Sequence, residues 1–231
     1  AVILRLGYAS QTVDTQFLRN VSELNRLGIP YTVYLFSYAE NAYEASLEAD
    51  FLINTIKNSP VKIATDIFPI FYDIEYWEFT DGSHNNDYLD KDDYAEIIPT
   101  FINKVEAALN IATRVYTNKA YAESDLPESV LPYVTWIAQW GPECTYEGTY
   151  NGWQYTSDGS INGISGRVDM NYLYNESIII KNSDGQVEED QTPLKYKVGD
   201  TVSYNKIYSS SSSFVGISNK RAHSSNSSLL T

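Results

Sequence analysis

The sequence predicts an α/β protein whose parallel sheet curves into an irregular barrel. Between residues 1 and 120, strand-like and helix-like segments alternate three times, a pattern typical of parallel strands joined by helical crossovers. After Ala120 the strand-like segments are separated only by loops rich in Gly, Pro, Ser and Asn, which are too short for crossover helices. An irregular barrel fits this change of pattern better than an open, doubly wound sheet does.

The first unit contains a strand, a helix and a second strand. The chain opens on "AVILRLGYA", and the apolar residues of "TQFLRNVSELNRLG" are spaced three and four apart, which predicts one apolar helical face. These residues are Phe17, Leu18, Val21, Leu24 and Leu27. Gly28 stands where a helix C-cap is expected. The nearly continuous apolar run "IPYTVYLFSY" then predicts a strand that is buried on both faces.

Two further helices and their strands complete the alternation. "NAYEASLEADFLINTIKNS" predicts a helix capped by Asn41, and "IFPIFYDIEYW" predicts the strand after it. "KDDYAEIIPTFINKVEAALN" predicts the next helix, with a local kink if Pro99 is interior, and "TRVYTN" predicts a strand. The last strands are predicted in "YVTWIAQW", "NGWQYTS" and "GRVDMNYLY".

Composition divides the chain into a barrel, a linker and a tail. We expect the barrel to cover residues 1–180 and a polar, acidic linker, which ends at Pro193, to cover residues 181–193. Residues 194–231 contain the alternating segment "LKYKVGDTVSYNKIYSSSSS" and a Ser-rich end, so we expect a β-rich or disordered tail. From Leu194 onward too few residues remain for an independent core.

Charge and residue counts disfavour several classes of function. A formal net charge of −14 predicts no binding to nucleic acid. No apolar run reaches the ~20 residues of a membrane helix, and no signal peptide pattern is present, so we expect no membrane insertion. One cysteine, Cys144, and two separated histidines, His84 and His223, predict no disulfide framework, no metal site and no cofactor. The oligomeric state does not follow from these counts.

Asp73 and Glu75 lie in "FPIFYDIEYWEFTDG", at the end of the most apolar run of the chain. Residues i and i+2 of a strand face the same side, so both carboxyl groups would point into the mouth of a barrel, where barrel enzymes place their active sites. The rise of a strand separates their Cβ atoms by about 6.5–7 Å, which allows both retaining and inverting glycosidase geometries. Two solvated acids at a strand end would show the same short motif.

The residues predicted around this pair would suit acid–base chemistry. Neighbouring acids shift each other's pKa, and an apolar wall favours the neutral form of one of them. The residues expected in this wall are Phe71, Tyr72, Tyr76 and Trp77. One neutral and one ionised carboxyl group is what cleavage of a glycosidic bond requires.

Aromatic and amide residues gather near the last predicted strands. They are Trp136, Gln139, Trp140, Trp153, Gln154, Tyr155, Asp169 and Asn171. Aromatic rings with polar tips suit sugar-binding clefts. Core tryptophans with satisfied polar neighbours would give the same set, so both interpretations stay open at this point.

Four segments together resemble one enzyme family. "FYDIEYW", "RVYTNKAY", "TWIAQW" and "GWQYTSDGSINGISGRVDMNYLY" are similar, in this order, to motifs of the lysozymes of glycoside hydrolase family 25. The resemblance covers residues 1–174 and implies a TIM-like (β/α)5(β)3 barrel. It also implies an N-acetylmuramidase, which hydrolyses the β-1,4 bond between N-acetylmuramic acid and N-acetylglucosamine in the glycan strands of peptidoglycan.

The resemblance also implies roles for individual residues. Glu75 matches the general acid, and Asp73 matches a partner carboxylate that steers the N-acetyl group of the substrate or stabilises developing charge. Asp169 matches an acid of the last strand, where holding the strand end by hydrogen bonds is an equal alternative. The further residues predicted to bind substrate are Tyr116, Gln139, Gln154, Trp77 and Tyr155.

The chain departs from the family pattern at its beginning. Family members open with a strand of the type "G-[IV]-D-V-S", whereas "AVILRLGYA" resembles their second strand. We therefore expect an N-terminally incomplete barrel with a gap in its wall, and reduced activity, instability or self-association as consequences. At the other end, "YKVGDTVSYNKIYSSSSS" resembles the start of a bacterial Src-homology-3-type cell-wall-binding module, with a polar tail as the alternative.

These expectations describe a cell-wall lytic enzyme of phage or bacterial origin. It would act outside the cell or in the cell wall, after secretion or after release by a phage holin. A non-catalytic module that binds peptidoglycan or another glycan is the main alternative. A barrel hydrolase that acts on another β-linked N-acetyl sugar polymer, such as chitin, is a further one.

Overall fold

A computed structural model describes residues 1–61, 63, 68–76, 82, 84 and 86–174, together with the backbone of residues 214–219. The strands of this part are β1 (Val2–Tyr8), β2 (Thr12–Val13), β3 (Tyr31–Phe36), β4 (Ile70–Asp73), β5 (Thr113–Asn118), β6 (Val134–Ala138), β7 (Gly152–Gly159), β8 (Val168–Leu173) and β9 (Phe214–Asn219). The helices are α1 (Phe17–Leu27), α2 (Ala42–Lys57), α3 (Lys91–Leu109) and α4 (Lys119–Ser124), and a 3₁₀ helix spans Leu131–Tyr133.

The strands form a single mixed sheet. β1, β3, β4, β5, β6 and β7 lie side by side in this order and run parallel. β8 pairs antiparallel with β7, and β2 pairs antiparallel with β1 at the other side. The mixed α/β architecture with helical crossovers in its first part is therefore confirmed.

β9 joins the two sides of the sheet, which corrects one expectation. It pairs parallel with β8, where Asp169 faces Val215, and antiparallel with β1, where Val2 faces Gly216. The gap expected beside the first strand is therefore filled in the described sheet, because a segment from the other end of the chain supplies backbone hydrogen bonds to both edges. The segment "YKVGDTVSYNKIYSSSSS", which resembles the start of a cell-wall-binding module, precedes β9 and lies outside the described residues.

Local signals in the sequence account for the first two helices. In α1 the side chains of Phe17, Val21 and Leu24 are buried, as the spacing predicts, whereas Leu18 is exposed. The helix ends at Gly28, whose φ of 64° is the left-handed conformation that glycine adopts without strain. At the start of α2, Asn41 accepts a hydrogen bond of 3.0 Å from the backbone N–H of Glu44, which confirms the predicted cap.

Pro99 lies inside α3, and the helix continues beyond it to Leu109. The helix begins with a capping box, in which Asp90 and Asp93 each accept a hydrogen bond from the backbone N–H of the other.

None of the described helices is long and apolar enough to cross a membrane.

Alternation along β4 sends neighbouring side chains to opposite faces of the sheet. Tyr72 faces the helices and stacks on Phe101 with ring centroids 3.7 Å apart. Phe71 and Asp73 face the interior, where Phe71 packs edge-on against Trp136 at 5.2 Å. The expectation that Tyr72 belongs to the wall around the acids is wrong, because the period of two residues places it behind that wall.

Candidate active site

A cavity of about 750 Å³ opens where the parallel strands end. Residues at or just beyond the ends of five strands line it, namely Tyr8, Tyr38, Glu75, Asn118 and Gln139. The structure places Asp73 and Glu75 together in this cavity. This is the edge of a parallel sheet at which barrel proteins assemble their sites from separate loops.

Asp73 is the most deeply buried acid of the cavity, with 5% of its surface exposed. Its Oδ1 atom has no hydrogen-bond partner among the described residues. Burial raises the pKa of Asp73 well above its ordinary value, and the charges of Glu75 and Asp169 raise it further. The positive charge of Arg5 acts in the opposite direction.

Glu75 lies nearer the opening and is less buried than Asp73. It follows Ile74, whose backbone N–H donates a hydrogen bond to the carbonyl oxygen of Tyr116 just beyond the end of β4. Burial raises the pKa of Glu75 to about 7, with a further contribution from the charge of Asp169. At neutral pH a substantial share of the Glu75 side chains therefore keeps a proton. A carboxyl group in this state can act as a general acid.

Asp169 reaches the same cavity from β8. Burial raises the pKa of Asp169 to about 6. The structure thus brings together the three acids that the sequence singled out, from strands separated by almost a hundred residues. Among the described residues no group of His, Cys, Asp and Glu side chains is arranged to hold a metal ion.

Arg5 is a cavity residue that the sequence analysis missed. It extends from β1, and its Nη2 and Nε atoms donate hydrogen bonds of 2.8 and 3.1 Å to Oδ2 of Asp14. Asp14 is itself buried, so the ion pair is fixed in the wall rather than solvated. The signal was available, since Arg5 is the only charged residue of "AVILRLGYA" and stands two positions after Ile3, another cavity residue.

Gln154 connects two aromatic residues of the cavity. Its Oε1 atom accepts hydrogen bonds from the hydroxyl group of Tyr116 at 3.1 Å and from Nε1 of Trp140 at 3.0 Å. Gln154 is buried, whereas Trp140 is 67% exposed at the opening. Tyr76, which is also exposed, lines the same opening. Both rings are therefore available for contact with a ligand.

Gln139 lines the cavity, but its amide is partly engaged. Its Oε1 atom accepts a hydrogen bond of 2.8 Å from the backbone N–H of Thr145, and its Nε2 atom donates one of 3.0 Å to the Thr145 hydroxyl group. This pairing fixes the orientation of the amide at the end of β6.

Tyr155 lies away from the cavity, in contrast to the prediction that it binds substrate. It follows Gln154 in β7, so its side chain is on the opposite face, where it stacks on Tyr172 with ring centroids 4.5 Å apart. Trp77, the other aromatic residue predicted to bind substrate, lies outside the described residues.

The sequence left open whether the tryptophans belong to the core or to a sugar-binding cleft, and the structure shows both cases. Trp136 is buried at the base of the cavity, and its Nε1 atom donates a hydrogen bond of 2.8 Å to Oδ1 of Asn171. Trp153 is also buried, and it donates to the backbone carbonyl of Gln139 at 2.8 Å. Trp140 alone of these three is exposed at the opening.

Proteins that are similar to this chain in sequence or fold include an autolytic lysozyme, an autolysin and an endolysin. The autolytic lysozyme of Clostridium acetobutylicum is 31% identical over 77 residues, which cover 33% of this chain and 23% of that protein. The modular autolysin LytC of Streptococcus pneumoniae, solved with a synthetic peptidoglycan ligand, is 35% identical with a TM-score of 0.65. That match covers 72% of this chain and 39% of LytC.

The catalytic domain of endolysin ply40, from bacteriophage P40 of Listeria monocytogenes, shares the fold. Its TM-score is 0.59 at 20% identity, with 76% of this chain and 82% of that domain covered. The matches to the other two proteins cover less of their length. The chain spans about two fifths of LytC and under a quarter of the clostridial lysozyme.

The family match agrees with the resemblance found in the motifs. Residues 1–164 match the family described as glycosyl hydrolases family 25. This range includes Asp73, Glu75, Tyr116, Gln139 and Gln154. Because the match extends over more than half of the 231 residues, the chain belongs to glycosyl hydrolases family 25.

Proposed function

We propose that this chain is a muramidase, which hydrolyses the β-1,4 bond between N-acetylmuramic acid and N-acetylglucosamine in peptidoglycan. The observation that carries the proposal is the convergence of Asp73, Glu75 and Asp169 in one cavity at the ends of the parallel strands. Membership of a glycosyl hydrolase family supports the reaction class, and the likeness to LytC supports the substrate.

Glu75 is the proton donor in this proposal. Its raised pKa, about 7, keeps it protonated in part at neutral pH. Glu75 is less buried than Asp73 and lines the cavity, so a glycosidic oxygen can reach it there. The proton moves from Glu75 to this oxygen as the bond from the oxygen to the sugar C1 atom breaks. A water molecule then adds at C1 and returns a proton to the Glu75 carboxylate, so the enzyme is restored.

Asp73 and Asp169 support the proton donor in two ways. Asp73 lies deeper than Glu75 and can either orient the N-acetyl group of the substrate or balance the positive charge. Asp169 faces the same space, and its negative charge raises the pKa of Glu75. Arg5 opposes the effect of burial on Asp73 and so favours its ionised form.

Aromatic and amide side chains form the sugar-binding wall in this proposal. Tyr76 and Trp140 offer exposed rings on which the C–H faces of a sugar can stack. Tyr116, Gln139 and Gln154 supply polar groups beside them. Trp77 keeps its predicted contact with substrate as part of the proposal.

The setting of the proposed reaction is the bacterial cell wall. We infer that the fold is the family's (β/α)5(β)3 barrel with β9 in its wall, and that peptidoglycan glycan strands are the partner. Names such as autolysin and endolysin among the similar proteins support action outside the cell or in the wall.

Identification of new reducing ends in digested peptidoglycan tests the proposal. The full chain is incubated with purified peptidoglycan, and the ends are reduced and identified by mass spectrometry. We expect N-acetylmuramic acid ends that are absent from a Glu75→Gln digest. N-acetylglucosamine ends would show another glycosidase specificity, and binding without any new ends would show a non-catalytic glycan-binding protein.

A further inference from the structure

A buried carboxyl group lies behind the site, on the face of the sheet opposite the cavity. Glu48 projects from α2 and has only 2% of its surface exposed. It accepts three hydrogen bonds: Oε2 from the Tyr72 hydroxyl at 2.6 Å, Oε2 from the Ser37 hydroxyl at 2.9 Å, and Oε1 from the backbone N–H of Tyr38 at 2.7 Å. Ser37, Glu48 and Tyr72 are called the Glu48 cluster below.

The partners of Glu48 belong to the two strands that carry the cavity acids. Tyr72 immediately precedes Asp73 in β4, and the backbone N–H of Ser37 donates a hydrogen bond of 3.0 Å to the carbonyl oxygen of Asp73. Tyr38 follows β3 and lines the cavity, where its ring packs edge-on against Tyr8 at 6.0 Å. Glu48 therefore connects α2 to the ends of both strands.

The count of protons in the Glu48 cluster fits an ionised carboxylate. Tyr72 has one hydroxyl proton, which it donates to Glu48. The Ser37 hydroxyl group lies within 2.8 Å of the Tyr72 oxygen and 2.9 Å of Glu48, and it accepts from the backbone N–H of Ala39. A carboxylate only accepts hydrogen bonds, so all donors are satisfied. A neutral Glu48 could donate its proton only to the Ser37 or the Tyr72 oxygen, and the hydroxyl group that accepts it would have to turn its own proton away from Glu48.

We propose that Glu48 is a positioning residue for the hydrolysis, and that its carboxylate holds the segment with Tyr38 and the end of β4 in the arrangement that binds substrate. The proposal rests on the proposed function. Glu48 touches neither substrate nor reacting atoms, and it acts through the backbone of Tyr38 and through Tyr72. Loss of its charge should therefore weaken substrate binding more than it slows the chemical step.

Burial and hydrogen bonding have opposite effects on the pKa of Glu48. Burial raises the pKa of Glu48 to about 7, and the hydrogen bonds from Tyr72, Tyr38 and Ser37 oppose this rise. Glu44, on the same helix, raises the pKa further. Two residues of α3 face this region. Tyr94 raises the pKa of Tyr72, and Lys104 forms an ion pair of 2.7 Å with Asp50 of α2. The carboxylate therefore predominates at pH 8 and the neutral form at pH 5.5.

The test compares the parent chain with the Glu48→Gln variant at pH 8 and pH 5.5, on soluble peptidoglycan fragments. At pH 8 we expect KM to rise about tenfold, since a hydrogen-bonded buried charge is lost, while kcat changes less than about twofold. At pH 5.5 we expect the ratio of the two KM values to approach one, because Glu48 of the parent is then also neutral. The cavity acids are the same in both chains, so their titration cancels from this ratio.

Matched variants separate this effect from general destabilisation. Glu96→Gln makes the same chemical change on the exposed surface of α3 and should leave both constants unchanged. Tyr72→Phe replaces Glu48→Gln as the test if that variant does not fold. It removes one hydrogen-bond donor to Glu48 and keeps the ring that stacks on Phe101, so it should also raise KM. A KM ratio for Glu48→Gln that is equal at the two pH values, or a loss of thermal stability with unchanged KM, would overturn the proposal.

Amide hydrogen exchange gives a readout that does not require catalysis. The backbone N–H of Tyr38 donates to Glu48, so in the parent its exchange should be slower at pH 8 than at pH 5.5, after correction for the intrinsic rate. In Glu48→Gln the corrected rate should not depend on pH. If the parent releases no new reducing ends, the proposed function is wrong, and the exchange rates alone then decide whether Glu48 holds this segment. Equal corrected rates in the parent at both pH values would overturn that role.

Discussion

The hydroxyl group of Tyr116 and Oε1 of Gln154 are joined by a hydrogen bond of 3.1 Å inside the cavity. The same oxygen accepts the indole N–H of Trp140, so a buried amide orients an exposed ring at the opening. Gln154→Leu removes this acceptor and leaves both donors without it. We expect KM for peptidoglycan fragments to rise about tenfold, with a smaller change in kcat, because the binding wall loses its order.

Tyr116→Phe is the matched comparison for this substitution. It removes one of the two hydrogen bonds and keeps the one from Trp140, so its effect on KM should be smaller than that of Gln154→Leu. Steady-state kinetics of both variants decide the point. A larger effect of Tyr116→Phe would mean that Tyr116 itself contacts the substrate and that Trp140 contributes little.

Glu75→Gln should abolish nearly all hydrolysis and preserve the fold. The amide has the shape of the carboxyl group but cannot donate a proton to a leaving oxygen. General acid catalysis contributes about 10²–10⁴-fold, so we expect the rate of reducing-end release to fall by about a thousandfold. Circular dichroism and thermal unfolding should resemble those of the parent. Residual activity clearly above about a thousandth of the parent's would argue against Glu75 as the acid.

The pH dependence of kcat/KM should locate the pKa of Glu75. A proton donor must be protonated, so activity should fall as the pH rises through about 7, the pKa that burial and Asp169 give to Glu75. Asp169→Asn removes a negative charge that raises this pKa. The alkaline limb of its profile should therefore move to lower pH, whatever the residual rate. An unmoved limb, or one moved to higher pH, would show that another group controls it.

Much of the site follows from the sequence because strand periodicity is local. The period of two residues places Asp73 and Glu75 on one face, and the same rule explains why Tyr72 and Tyr155 lie on the opposite one. Applying the rule strictly from Asp73 and Gln154 would have excluded both tyrosines. These two errors came from grouping aromatic residues by proximity in sequence.

Other features depend on contacts that no local pattern encodes. The ion pair of Arg5 with Asp14 requires the short antiparallel turn of β2 back onto β1. β9 pairs with β1 across more than two hundred residues, and its sequence "FVGISN" offers no sign of its partner. The Glu48 cluster likewise joins a helix to two strands.

Asp73→Asn should stabilise the fold at neutral pH while it reduces activity. The folded-state pKa of Asp73 is raised above its ordinary value of 3.8, so the contribution of this group to stability is present below that value and is lost as the pH rises. Asparagine does not ionise and avoids this loss. We expect a higher Tm at pH 7, by about 2–4 °C per kcal/mol of unfolding free energy, and no gain at pH 3.5.

Thermal unfolding at both pH values, with peptidoglycan hydrolysis at pH 7, checks this expectation. Asp87→Asn is a suitable control, because interactions with His84 lower the pKa of Asp87. The change in Tm at pH 7 should therefore be a decrease rather than an increase. If Asp73→Asn lowers Tm at pH 7, the carboxylate of Asp73 is stabilised by its surroundings, and Arg5 outweighs burial there.

Removal of β9 should weaken the sheet at two edges at once. A chain that ends at residue 213 lacks the strand that pairs with both β1 and β8, so the backbone groups of both strands lose their partners. Unpaired edges favour association with other chains. We expect a lower Tm and concentration-dependent oligomers in sedimentation velocity. Hydrolysis should also fall, since β1 and β8 carry Arg5 and Asp169. A chain that ends at residue 219 keeps β9 and is the matched control, and equal Tm and equal size for the two truncated chains would show that β9 does not support the wall.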